Sequence, residues 1–105
     1  MVRYAALAMA LMATPALAQF PPPGVYGCKD AAGSDIGVLT LYVGGDYMWD
    51  GVDGSMGIGQ MGSAGDKVEA ITGPLKTQNW IGGFAVDAGT TRFAFETKVG
   101  PLGCA

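Results

Sequence analysis

Asp46, Asp50 and Asp53 fall within eight positions of one another in the stretch Gly45-Asp46-Tyr47-Met48-Trp49-Asp50-Gly51-Val52-Asp53-Gly54. Carboxylates beside flexible glycines are the donor set that calcium favours, since a hard cation takes oxygen ligands in a pliant shell. The spacing departs from D-x-[DN]-x-[DN]-G, and no Glu stands twelve positions on to close a loop. These three are therefore weak metal candidates, set against the ordinary use of aspartate in turns, where its side chain binds nearby backbone N–H groups.

The remaining inventory for catalysis is thin. The chain has no histidine, which removes the commonest general base and any Ser-His-Asp or Cys-His pairing. Ser34, Ser55 and Ser63 sit in glycine-rich or polar turns, outside G-x-S-x-G or S-x-x-K. Two of the nine acids could serve a glycosidase-type reaction, but no spacing singles out a pair. Gly57-Ile58-Gly59-Gln60-Met61-Gly62 satisfies G-x-G-x-x-G by letter only. The dinucleotide fingerprint needs a buried strand before it and a helix after it, and neither flank has that character. The expectation is a protein that is not an enzyme and needs no cofactor. Binding chemistry then falls to the aromatics Tyr42, Tyr47, Trp49 and Trp80, which could form an interface or fill a small core. Tyr42 is the most open of the four, because Leu39, Leu41 and Val43 claim the other face of its segment.

Cys28 and Cys104 are the only cysteines. An even pair in a small exported domain reads as a disulfide with one available connectivity. It would enclose 77 residues counted inclusively, a loop for which chain entropy gives about 4–5 kcal/mol.

The elements that must position these groups begin after an export signal. Arg3 with the amino terminus forms a positive n-region, Tyr4 to Ala13 is a short apolar run, and Ala16-Leu17-Ala18 supplies a small-x-small cleavage pattern before Gln19. The apolar run is too short to cross a bilayer of roughly 30 Å. The division is residues 1–18 as a cleaved signal helix, 19–23 as a proline-rich lead-in acting as spacer or recognition arm, and 24–105 as one small β domain. Without Arg3, five basic residues face nine acids, a net charge of −4. No basic stripe exists for nucleic acid, and stable membrane insertion is not expected after cleavage.

Glycine makes up about a fifth of the chain after residue 18 and lacks a three-residue period, so tight turns between short strands are expected. Strands are read at Gly24–Lys29, Ile36–Val43, Tyr47–Asp50, Lys67–Thr72, Trp80–Val86 and Arg92–Val99, with Gly44-Gly45 as a two-residue hairpin loop. Gly51 to Asp66 is ambiguous, although Gly57, Gly59 and Met61 alternate with Ile58 and Gln60 as in a thin strand. The last strand would bury Phe93, Phe95 and Val99, with Thr97 in register. No helix longer than one turn is expected.

About seven strands with their ends drawn together by a bridge make an all-β, antiparallel, up-and-down meander, closed or nearly closed into a barrel; a two-sheet sandwich is the alternative. The pattern resembles small secreted meander barrels, the calycin-like periplasmic protease inhibitors of bacteria among them, and carries no residue role across. The expected function is a small periplasmic or secreted binding module, non-catalytic and inhibitor-like, acting on an envelope or extracellular protein. The alternatives are a carrier of a small apolar ligand and a carboxylate-based hydrolase.

Overall fold

The computed structural model describes residues 21–105; the signal over 1–18 and the first two residues of the lead-in lie outside them. Eight antiparallel strands close into one barrel in sequence order: β1 (Gly24–Asp30), β2 (Asp35–Leu41), β3 (Asp46–Gly51), β4 (Met56–Ala64), β5 (Lys67–Ala70), β6 (Ile81–Asp87), β7 (Thr90–Thr97) and β8 (Gly100–Cys104). Closure rather than a sandwich follows from the pairing of β1 with β8, in the register Cys28–Cys104, Lys29–Gly103 and Asp30–Leu102. The Cys28–Cys104 disulfide sits on that seam. Beside it Gly27 and Ala105 exchange two backbone hydrogen bonds, of 2.9 and 3.0 Å.

Period-two alternation decides which side chains enter the barrel. Leu39 and Leu41 of β2, Tyr47 and Trp49 of β3, and Phe93 and Phe95 of β7 are all buried, together with Tyr26, Met61, Val68 and Leu102. Rings touch in sequence through the interior. Tyr26 meets Phe93 edge-on at 4.9 Å, Phe93 stacks on Phe95 at 5.6 Å, Phe95 meets Trp80 at 5.0 Å, and Trp80 meets Trp49 at 5.0 Å. No polar or charged residue is buried among the described residues, so packing and apolar burial hold the barrel.

A ten-residue connection between β5 and β6 plugs one end. Its only helical turn, α1 (Pro74–Thr77), starts with Pro74 in the first turn, where a missing N–H costs nothing, and buries Leu75. The connection lies over β4 because Gly57 and Gly59 face it. A Cβ on Gly57 would stand 2.8 Å from Pro74 Cγ, and one on Gly59 would collide with the Thr72 carbonyl.

Several boundaries differ from the sequence reading. The region read as ambiguous contains β4, the longest strand among the described residues, with Gly57, Gly59 and Met61 inward. The strand read to Thr72 ends at Ala70, because Ile71 and Thr72 turn aside to donate to the Gln60 carbonyl at 2.8 and 3.4 Å. The Gly44-Gly45 hairpin is a 3-10 turn over Val43–Gly45, in which both glycines adopt positive φ. The last strand stops at Thr97, whose hydroxyl donates to the Gly100 carbonyl and accepts from Val99 N–H. Val99 therefore sits in a turn, 81% exposed, rather than in the core. An eighth strand, β8, follows. The proline-rich lead-in also packs against the barrel: Pro21 is fully buried, and the Pro22 carbonyl accepts from the Tyr26 hydroxyl at 2.6 Å.

Candidate interaction surface

The residues singled out for chemistry are separated by the strand pleat. Asp46 and Asp50 point outward from β3, four residues and thus about 13 Å apart along an extended chain. Asp46 accepts from Gln60 Nε2 at 3.1 Å. Asp53 belongs to the β3–β4 turn, where its Oδ1 accepts from Ser55 N–H at 3.0 Å and from Ser55 Oγ at 2.6 Å. The Ser55 hydroxyl, and then its backbone N–H, hold the Asp53 carboxyl below its usual range. Ser55 Oγ also accepts from Trp49 Nε1 at 3.2 Å, so this aspartate closes a turn and anchors a ring. No group of three or more His, Cys, Asp or Glu suited to a metal ion occurs among the described residues.

Of the four aromatics, only Tyr42 is outside. Tyr47, Trp49 and Trp80 point inward, each at most 6% exposed. Tyr47 donates to the Thr72 carbonyl at 2.7 Å and accepts from Leu75 N–H at 3.1 Å, tying the plug to the barrel wall. Burial pushes its phenol pKa up, partly offset by the Leu75 N–H. Trp49 and Trp80 form the floor of a hollow of ≈ 450 Å³ at the plugged end, walled by Ile36, Leu75 and Leu102 with Asp53, Ser55 and Gln78 at its polar side. A second hollow of ≈ 680 Å³ lies along β4, β5 and β6, between Ile71 and Ile81 and bordered by Lys67 and Glu69.

The most distinctive surface is the outer face of β1 to β4. Cross-strand register places Val25 opposite Thr40, Thr40 opposite Met48, and Met48 opposite Ile58. The adjacent row runs Gly27, Val38, Asp50, Met56. Val25 is 71% exposed, Met56 67% and Ile58 76%. Val38 and Met48 complete the apolar field, with Tyr42 at one margin. Single exposed apolar residues are ordinary, but a contiguous set on one sheet face is a candidate interaction site. The opposite half of the barrel is mixed: β5 and β7 turn Lys67, Glu69, Arg92 and Glu96 to solvent, while β6 between them exposes Ile81 and Val86.

The sequence carried a signal for this face in β2, where Val38, Thr40 and Tyr42 share the side away from the core. Met48, Met56 and Ile58 carry no such signal in their own segments, because the face exists only once β3 and β4 are in register. The comparisons with known proteins add no relative: no family model, curated protein or solved structure matches this chain.

Proposed function

We propose that this chain is a small exported binding module that docks on an envelope or extracellular protein through the outer face of β1 to β4, without catalysis of its own. The observation that carries the reading is the contrast between a barrel interior filled by its own side chains and an apolar field facing outward. Exposed methionines suit such a surface, since their unbranched, polarizable chains adapt to a partner. The disulfide accords with an oxidising compartment, which supports a periplasmic or secreted location. The apolar field does not encircle the barrel, because Lys67 and Glu69 on β5 and Arg92 and Glu96 on β7 interrupt it, unlike the continuous lipid-facing band of a membrane barrel. An inhibitor-like action fits a rigid scaffold that presents a fixed face.

The test uses the disulfide-intact mature domain as bait on envelope extracts, alongside Ile58→Asp. A partner captured by the native domain and lost with the variant supports the reading. Equal capture by both, or no specific partner, counts against it. The hollow floored by Trp49 and Trp80 favours a second reading, as carrier of a small apolar ligand. Mass spectrometry of ligands extracted from native protein separates the two.

A further inference from the structure

We propose that the occupant of the β1–β4 face is a protein segment that is apolar and carries a lysine or arginine, with the cation seated on Asp50. The inference rests on reading that face as a docking surface and adds the chemistry of what docks there. Asp50 stands between Val38 on one neighbouring strand and Met56 on the other, with Met48 two residues before it. Among the described residues its carboxylate has no hydrogen-bond or ion-pair partner. The basic residue on the same strands, Lys29, is bound to Asp35 at 2.8 Å. Lys67 and Arg92 point outward from β5 and β7.

A partner that covers Val38, Met48 and Met56 must also take water from Asp50. An ionised carboxylate buried without a counter-charge is strongly unfavourable, so a purely apolar occupant would be opposed where it covers Asp50. A second copy of this chain fits no better, because a two-fold pairing centred on this face brings the outward acids of β3, Asp46 and Asp50, against those of the other copy. A cation among apolar side chains satisfies both requirements, and the net acidity of the described chain, five basic residues against nine acids, steers such a partner inward.

The experiment titrates the isotope-labelled mature domain by NMR with a short peptide alternating leucine and lysine. Analogues with glutamine or glutamate in place of lysine, and phosphatidylglycerol vesicles, are run in parallel. The expected result is shifts at Val38, Met48, Asp50, Met56 and Ile58, with the lysine peptide binding roughly tenfold or more above the glutamate peptide. Asp50→Asn should weaken the lysine peptide about threefold, the scale of one solvent-edged ion pair, and strengthen the glutamine peptide, which then covers no unpaired charge; a glutamine peptide unaffected by the substitution would overturn the role of Asp50. Equal binding of all three peptides at these residues would overturn the charge requirement while the docking face stands. Absence of shifts on this face with every peptide would overturn both. Preference for vesicles at the same residues would replace the protein partner by a lipid surface and overturn the proposal.

Discussion

Tyr47 holds two elements on one oxygen, donating to the Thr72 carbonyl and accepting from Leu75 N–H. Tyr47→Phe leaves a buried N–H and a carbonyl without that partner, so unfolding stability should fall by about 1–3 kcal/mol. Urea titration reads this as a lower midpoint at unchanged slope. The same burial gives a pH dependence. Tyr26 and Tyr47 both have pKa values raised above 10.0, chiefly by desolvation. Groups raised on folding contribute fully below the unfolded value and lose that contribution as pH rises through the folded one. The urea midpoint should therefore decline above about pH 10. Asp53 acts in the opposite sense: its depressed pKa supports the fold above the usual 3.8 and ceases to as pH falls. Gly59 tests close approach. Gly59→Ala puts a methyl into the Thr72 carbonyl and the Tyr47 hydroxyl and should cost about 1–3 kcal/mol, whereas Gly27→Ala, with nothing nearer than the Ala105 carbonyl at 4.0 Å, should be far milder.

At the scale of elements, α1 is too short to be stable alone, and Leu75 is what fixes it. Leu75 is 1% exposed beneath the plug, so Leu75→Ala should lower stability by about 2–5 kcal/mol, measured by denaturant unfolding. Elements with strict alternation were legible from the sequence. Leu39 and Leu41 in β2, and Phe93 and Phe95 in β7, face inward as their spacing requires. Two kinds of element were not. The strand β8 reads Gly-Pro-Leu-Gly-Cys, a composition poor in β-branched and aromatic residues, and it is held as a strand by β7 and the disulfide rather than by its own preference. Val99 shares the parity of Phe93 and Phe95, which by spacing alone places it with them, yet the Thr97 hydroxyl turns the chain two residues earlier. Spacing leaves Trp49 and Trp80 open between core and interface, because parity says which side a residue takes but not which side is filled. The outer field of Val25, Met48 and Ile58 depends on register across four strands, information that no single segment contains.

For the whole molecule, the Cys28–Cys104 bridge and the two paired positions beside it, Lys29–Gly103 and Asp30–Leu102, close the β1–β8 seam. Reduction, or Cys28→Ser with Cys104→Ser, should cost about 2–5 kcal/mol, the usual loss for a native bridge in a small domain. Thiol titration should find no free sulfhydryl in the oxidised protein. A barrel of this size has little stability in reserve, so the reduced form should unfold well below the oxidised one in a thermal scan.

The seam also imposes an order of events as the chain is made. Because the first strand pairs with the last, every nascent length that lacks β8 leaves β1 with an unpaired edge and the Phe93–Phe95 side of the barrel without Leu102. Such an edge is a template for pairing between chains. A chain ended at Val99 should thus remain open and self-associate, and sedimentation of that truncated chain beside the full one checks it. Until its final strand arrives, the molecule has no inside.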